Sequence, residues 1–232
     1  MKIGVVIFPG SNCDDDMIQV LRGRYKQEVV KLWHKDQNLQ NCDFIVLPGG
    51  FSHGDYLRSG AIARHSPIMQ EVIAFANHGG FVMGICNGFQ ILCESNLLPG
   101  ALLRNEHRLF KCENVYLRTE NSQTAFSMGI PKEKVLKIPI AHGEGRFYAD
   151  EVAMNNIINN QQIIFKYCTE KGDIAPDGNP NGSLYNIAGI CNEQKNVFGM
   201  MPHPERAANE VLYNIDGCYI FDSIIQHCMA HV

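Results

Sequence analysis

The segment Gly84-Ile85-Cys86-Asn87-Gly88 places a cysteine between two glycines, at a predicted turn from a strand into a helix. A short apolar run, residues 81–83, precedes it, and residues 89–92 predict the start of the helix. Glycines allow the tight backbone path of a nucleophile elbow, and a helix N-terminus favours a thiolate over a thiol. Cys86 is therefore a candidate nucleophile. The pentapeptide alone is equally compatible with a buried cysteine in a glycine-rich turn.

A cysteine nucleophile needs a base and a group that orients the base. The segment Met201-Pro202-His203-Pro204-Glu205-Arg206 contains both types of side chain. Pro204 disfavours helix at His203, and alternate residues of an extended segment point to the same side. We therefore expect Glu205 to hold the His203 imidazole in one tautomer. The competing interpretation is a proline-rich surface turn with a solvated histidine.

Acyl transfer also requires hydrogen-bond donors for the oxyanion. The backbone N–H of Asn87, directly after the cysteine, is one candidate. A second lies in Leu47-Pro48-Gly49-Gly50-Phe51, a glycine turn after an apolar strand. Ligands gather at the carboxyl ends of parallel strands, so this turn and the elbow are expected side by side. Gly50 is the preferred donor and Phe51 the second choice, although an ordinary turn has the same sequence.

Strand and helix signals alternate over the first hundred residues, which predicts an α/β fold with a mostly parallel central sheet flanked by helices. Residues 102–148 contain strand-like runs with few helix signals and predict an antiparallel section. The predicted strands are 2–8, 28–32, 44–47, 81–85, 114–117, 135–140, 163–168, 183–190 and 196–200, the last two forming a hairpin. The predicted helices are 67–77, with Ser66 as cap, 151–160, 215–231 and one from a cap at Asn12 or a neighbouring Asp to residue 24.

The composition indicates a globular protein of one domain, residues 1–232, with 45% apolar and 19% charged residues. A formal net charge of −4 gives no reason to expect nucleic acid or a membrane surface as a partner. The nine cysteines are odd in number and lack C-x-x-C spacing, which favours a reducing, cytoplasmic setting over disulfides or a zinc knuckle. The chain lacks phosphate-binding and dinucleotide-binding glycine motifs and metal-ligand spacing, so no cofactor and no metal are predicted.

Three blocks, Pro48-Gly49-Gly50, residues 84–90 and residues 202–205, resemble those of class I (triad) glutamine amidotransferases. Longer blocks resemble more narrowly the glutaminase subunits of phosphoribosylformylglycinamidine synthase. One small difference is His53, where the resemblance leads us to expect tyrosine or another aromatic residue. The longer blocks are residues 8–14, 50–58, 141–147, 179–183 and 196–206.

The resemblance implies a flavodoxin-like fold and hydrolysis of L-glutamine to glutamate and ammonia. It implies that Cys86, His203 and Glu205 form the triad and that Gln90 contacts the substrate. Phe51 and His142 are further candidates for substrate binding. Two alternatives stay open: another cysteine hydrolase on the same sheet, such as a γ-glutamyl hydrolase or a different amidotransferase subunit, and a catalytically silent module.

The resemblance also implies partners. A large synthase subunit would use the ammonia to convert formylglycinamide ribonucleotide to formylglycinamidine ribonucleotide in de novo purine biosynthesis, and a small third subunit would complete the complex. ATP and Mg²⁺ are expected on the synthase subunit, and no cofactor is expected in this chain.

Overall fold

The structure, a computed structural model, describes residues 1–230, and its central feature is a sheet of nine strands. The described residues form eleven strands, of which all but β5 and β8 belong to this sheet. They are β1 (Lys2–Ile7), β2 (Glu28–Trp33), β3 (Phe44–Leu47), β4 (Phe81–Ile85), β5 (Ala101–Leu103), β6 (Lys111–Thr119), β7 (Val135–His142), β8 (Arg146–Tyr148), β9 (Ile163–Cys168), β10 (Ile187–Cys191) and β11 (Val197–Met200). The helices are α1 (Asp14–Gln19), α2 (Pro67–Asn77), α3 (Asn87–Glu94), α4 (Glu151–Asn159) and α5 (Cys218–Met229).

The strand order is β2-β1-β3-β4-β11-β10-β9-β6-β7. Neighbours from β2 through β11 pair in parallel, and those from β11 through β7 pair antiparallel. The parallel part has the flavodoxin-like order, with a fifth strand supplied from late in the chain. Every residue of β3, β4 after Phe81, and β11 is buried, as expected for parallel strands covered on both faces. The predicted α/β fold with an antiparallel section is confirmed.

The first helix differs from its prediction. Its N-cap is Cys13, which makes no side-chain capping bond, and regular α-helix ends at Gln19. A π-helical turn, Val20–Arg24, continues it, because Tyr25 N–H bonds to the carbonyl of Val20, five residues back. The second helix matches its predicted bounds, but Ser66 at its N-cap forms no capping bond either.

The second half of the chain contains elements that the sequence pattern did not reveal. Strands β5 and β8 form a separate two-stranded antiparallel sheet. The predicted strand 183–190 begins later, since a 3₁₀ turn with Tyr185 at φ 52° precedes β10. Helix α5 is shorter than predicted, and residue 231 of that prediction lies outside the described residues. The predicted hairpin of β10 and β11 is confirmed.

Strand register decides which loops meet. Leu47 at the end of β3 is paired with Gly84 of β4, and Met200 at the end of β11 is paired with Ile85. The chain segments that follow these three strands therefore leave the same edge of the sheet next to one another. They carry Gly49 and Gly50, Cys86, and His203, respectively.

The nine cysteines are all unpaired in the described part of the chain. Within residues 1–230, no helix has the length and apolar character needed to cross a bilayer.

Candidate active site

Cys86 occupies a strained backbone position at the turn from β4 into α3. Its φ of 51° and ψ of −105° lie outside the regions that side chains normally adopt, which costs about 1–3 kcal/mol. The surroundings enforce this path: Cys86 N–H donates to the Met200 carbonyl at 2.8 Å. A Cβ on Gly88 would lie 2.0 Å from the Leu47 carbonyl oxygen. Only glycine at position 88 lets α3 start this close to β3, and the start of α3 presents the Cys86 side chain.

His203 and Glu205 form a buried ionic pair after β11. The His203 Nδ1 and Glu205 Oε1 atoms are 2.6 Å apart, and both side chains are almost fully enclosed. Backbone at His203 is non-helical, with φ −102° and ψ 87°, and a 3₁₀ turn, Pro204–Ala207, follows it. His203 N–H donates to the Pro139 carbonyl of β7 at 2.8 Å. The bond to Pro139 thus fixes the backbone at His203, and the bond to Glu205 fixes the position and tautomer of its ring.

The pKa of His203 reflects opposing effects. Burial disfavours the imidazolium, but the Glu205 carboxylate and, after it, the Cys86 sulfur outweigh burial and raise the pKa above its ordinary value. Because Nδ1 is held by Glu205, Nε2 remains for proton transfer, and no residue within 1–230 forms a hydrogen bond to it. The ring can therefore hold a proton beside Cys86.

Two backbone N–H groups near Cys86 are available for an oxyanion. Gly50, at φ 134°, makes no hydrogen bond through its N–H within the described residues. Asn87 is the first residue of α3, so its N–H lacks an intrahelical acceptor. The Phe51 N–H, the second choice from the sequence, is not free, because it donates to the Gly10 carbonyl at 2.8 Å.

The side chain of Asn87 links the glycine loop to α3, a role that sequence reasoning missed. Its Oδ1 accepts from Ser52 N–H at 3.1 Å, and its Nδ2 donates to Asp55 Oδ1 at 3.1 Å and to Gln90 Oε1 at 2.9 Å. Gln90 Nε2 in turn donates to the Glu144 carbonyl at 2.6 Å. This network places Gln90 and the segment 141–147 at the same site as the elbow.

The other two predicted substrate-binding residues differ in exposure. His142 is buried at the end of β7, and its Nδ1 is 3.1 Å from Asn105 Oδ1. Burial and then the charge on His203 lower its pKa to about 4, so His142 is neutral at physiological pH. Phe51 is 46% exposed and directly follows Gly50, the candidate oxyanion donor. At this position its ring can cover a bound ligand. The carbonyl of Ala141, which precedes His142, is 3.8 Å from Cys86 Sγ.

A second thiol, Cys13, lies beside the acid–base pair. Its Sγ accepts a hydrogen bond from Arg206 Nη2 at 3.2 Å. Burial raises the pKa of Cys13 to about 12, although Arg206 partly offsets this. Cys13 therefore remains a thiol and does not compete with Cys86 as nucleophile. The sequence offered one signal for Cys13: it follows the first predicted strand, at the edge of the sheet where ligands are expected to bind. The burial of Cys13 could not be predicted.

Comparison with known proteins places the chain in a well-populated group. A family model described as a CobB/CobQ-like glutamine amidotransferase domain matches residues 1–217. A protein of Koribacter versatilis named phosphoribosylformylglycinamidine synthase subunit PurQ is 54% identical over 97% of this chain and 97% of its own length. A protein of the same name from Acaryochloris marina is 51% identical over 99% and 98%.

Comparison with solved structures gives the same result as comparison of sequences. A chain of the PurLQS structure from Thermotoga maritima is 40% identical and superposes with a TM-score of 0.86, over 97% of this chain and 98% of that one. Another Thermotoga maritima protein, described as a glutamine amidotransferase, has a TM-score of 0.60 at 15% identity, over 99% and 92%. The latter likeness shows the fold alone.

Proposed function

Because this chain belongs to the CobB/CobQ-like glutamine amidotransferase family and, within it, to the PurQ subunits of phosphoribosylformylglycinamidine synthase, we propose that Cys86, His203 and Glu205 release ammonia from L-glutamine for that synthase. The observation that carries the assignment is the convergence at one sheet edge of the strained Cys86 elbow and the buried His203–Glu205 pair. This constellation is the one that nucleophilic acyl transfer requires.

In the first half-reaction, Cys86 Sγ attacks the side-chain amide carbon of glutamine, and the thiol proton resides on His203 Nε2. The carbonyl oxygen becomes an oxyanion, which the Gly50 and Asn87 N–H groups stabilise. As the C–N bond breaks, the leaving nitrogen takes the proton from His203 and departs as ammonia. A γ-glutamyl thioester on Cys86 remains.

In the second half-reaction, His203 is neutral and removes a proton from water, which attacks the thioester carbonyl. The same two N–H groups hold the second oxyanion. When the C–S bond breaks, the Cys86 sulfur leaves as a thiolate beside the protonated His203, which is the state from which the first half-reaction starts. The product loses its carboxyl proton to solvent and leaves as glutamate. Glu205 stabilises the imidazolium that forms in both halves. Each oxyanion donor contributes on the order of 3 kcal/mol of transition-state stabilisation.

Substrate contacts follow from the network around α3. Gln90 and Asn87 are fixed by each other and by Glu144, so the polar groups that face the glutamine are held in place before binding. His142 and Phe51 are the further lining residues, one as a neutral polar group and the other as an apolar cover. This preorganisation favours the reacting geometry.

Ammonia is useful to the synthase only if it does not escape as ammonium into water. The chain therefore works in complex with a small third subunit and with the large synthase subunit, as the PurLQS neighbour does by its name. ATP and Mg²⁺ belong to the large subunit, and this chain carries out its own step without a cofactor. We place the complex in the cytoplasm, in de novo purine biosynthesis.

The decisive experiment measures ammonia release from L-glutamine by the purified chain, alone and with its synthase partners, ATP and formylglycinamide ribonucleotide. Release should require Cys86, survive replacement of the exposed Cys112 by serine, and rise with the partners. Release with no partner effect would indicate a free-standing hydrolase instead. Absence of release under both conditions would refute the assignment.

A further inference from the structure

Cys13 approaches the acid–base pair across a single glycine. The Cys13 N–H donates to the Gly49 carbonyl at 3.3 Å. This bond joins the start of α1 to the turn after β3 that carries Gly50. A Cβ on Gly49 would lie 3.3 Å from Cys13 Sγ and 2.7 Å from His203 Cε1. The bare glycine backbone is therefore all that lies between the second thiol and the imidazole on this side.

Three potential metal-ligand atoms converge there. Cys13 Sγ, one ring nitrogen of His203 and one carboxylate oxygen of Glu205 all lie within 4.8 Å of one another, and all three residues are buried. A thiolate, an imidazole and a carboxylate are the ligand types that Zn²⁺ takes. Formation of the Zn–S bond releases the thiol proton of Cys13 to solvent. Tetrahedral zinc bonds place ligand atoms roughly 3.5 Å apart, so the 2.6 Å hydrogen bond between His203 and Glu205 must open when a metal binds.

A second observation points to a cation. Glu205 Oε1 bonds to His203, but Oε2 receives no hydrogen bond from any residue in the described range, although it is buried. A buried carboxylate oxygen without a donor is costly. The Arg206 guanidinium bridges Cys13 Sγ and Asp16 Oδ2, at 3.2 and 3.0 Å. A metal that binds Cys13 Sγ must displace this guanidinium.

A cleft beside α1 borders the cluster. Its volume is about 920 Å³, and its walls include Asp15, Asp16, Arg206 and Glu205 but not Cys13, His203 or Cys86. A divalent cation that enters there meets the carboxylates of Asp15 and Asp16. It reaches the enclosed Glu205 side chain only when neighbouring side chains move.

We propose that Cys13, His203 and Glu205 form an inhibitory binding site for a thiophilic divalent cation, with Zn²⁺ the best match to the ligand set. A metal on either ring nitrogen of His203 takes the lone pair that the ring needs to accept a proton, and a metal on Glu205 removes the group that orients the ring, so turnover stops. The inhibition, though not the binding, rests on the proposed glutaminase function.

Binding is tested on the full chain, reduced with a phosphine and titrated with Zn²⁺ against a chromogenic chelator. Loss of an outer partner already weakens metal sites about 10–100-fold, so Cys13→Ser should bind at least about tenfold more weakly than wild type. Cys112→Ser, which removes an exposed thiol, should bind like wild type, and Cys86→Ser should retain tight binding. Thermal unfolding of each variant verifies that it is folded.

Equal affinity in Cys13→Ser and wild type would overturn the proposal. So would loss of binding in Cys86→Ser, because the metal would then lie on the nucleophile. Arg206→Gln removes the competing guanidinium and should tighten binding, whereas the same substitution would have no effect on a metal held by Cys86 alone.

Inhibition is tested as ammonia release against Zn²⁺, with each variant compared with its own uninhibited rate. Zinc should lower kcat and leave KM for glutamine unchanged, and Cys13→Ser should need at least about tenfold more zinc. Competition with glutamine, or equal sensitivity of Cys13→Ser, would contradict the site. A chain that binds zinc through Cys13 but releases no ammonia would refute the proposed function and leave the site intact.

Discussion

The nucleophile half and the acid–base half of the site reach their geometry by different means. Cys86 is placed by backbone: an unusual φ and ψ, a main-chain bond to Met200, and glycine clearances against β3. The His203–Glu205 pair is placed by side chains: two buried groups that neutralise each other at 2.6 Å. Removing the Cys86 sulfur therefore leaves its support intact, whereas removing one member of the pair leaves its partner buried alone.

The comparison predicts that chemistry and stability respond differently in the two halves. In the nucleophile half, a side-chain change should abolish activity at little cost in stability, whereas a glycine change should lower stability. In the acid–base half, one substitution should damage both together. The following variants test that separation.

The largest effect is expected for Cys86→Ala. Loss of a triad nucleophile lowers kcat on the order of 10⁶-fold, while the free energy of unfolding should change by less than about 1 kcal/mol, since the backbone strain and its supports remain. Cys86→Gly should be at least as stable as Cys86→Ala, because glycine relieves the positive φ. Ammonia release and urea unfolding of both variants check this, and a strongly destabilised Cys86→Ala would contradict the separation.

Glu205→Gln should lower kcat about 10⁴-fold, because the imidazolium loses its counter-charge and the ring its tautomer. The same change breaks a buried pair and should cost about 3 kcal/mol of unfolding free energy. Activity and stability are thus predicted to fall together, unlike in Cys86→Ala. Glu113→Gln, at a half-exposed carboxylate of a surface pair, is the matched control and should change neither. If Glu205→Gln had the unfolding free energy of the wild type, the His203–Glu205 pair would not be a source of stability for the fold.

The pH dependence of that stability loss has a definite sign. Glu205 and Cys86 raise the pKa of folded His203 above 6.5, so protonation of His203 stabilises the fold fully below 6.5 and ceases to do so as pH rises through the raised value. Glu205→Gln weakens this contribution. The difference in unfolding free energy between wild type and variant should therefore be greatest near and below 6.5 and narrow at higher pH. A difference that widens with pH would exclude the proposed cause.

Sequence patterns predicted the elements that position the nucleophile because their signals are local. Glycines on both sides of Cys86 indicated the elbow, and the fully apolar run 44–47 indicated a strand buried on both faces. Proline at position 204 indicated non-helical backbone at His203. In each case the property that matters is a backbone preference of a few adjacent residues, which the chain carries without its partners.

The detailed side-chain contacts inside the site could not be predicted. The position of Cys13 after the first strand indicated the sheet edge that also carries Cys86 and His203, but not its burial or its contact with Arg206. The Asn87 network with Ser52, Asp55 and Gln90 depends on the register of β3 against β4. The sheet of β5 and β8 was missed for a related reason: three-residue strands carry too little alternation to be recognised.

Gly88→Ala should destabilise the nucleophile half through its backbone. The new Cβ would lie 2.0 Å from the Leu47 carbonyl oxygen, so α3 must shift, at a cost of about 3 kcal/mol. Gly23→Ala is the matched control, because within residues 1–230 no atom beyond its chain neighbours and its own helix backbone lies within 4 Å of the added Cβ. This change should be stabilising by about 0.5–1 kcal/mol. Urea unfolding of both variants measures this. Equal stabilities would mean that close packing of α3 on β3 does not fix the elbow.

The smallest effect is expected far from both halves, at the start of α4. Asp150 caps this helix by accepting from Ala153 N–H at 2.8 Å, and Asp150→Ala should cost about 1 kcal/mol of unfolding free energy. Asp150→Asn keeps an acceptor and should be nearly neutral. Ammonia release should be unchanged in both variants, because α4 contributes no residue to the site. If the mild loss of stability in Asp150→Ala also lowered ammonia release, a loss of stability alone would be enough to lower activity. The fall in kcat predicted for Glu205→Gln could then not be assigned to the contact of Glu205 with the imidazole, and the contrast between the two halves would fail.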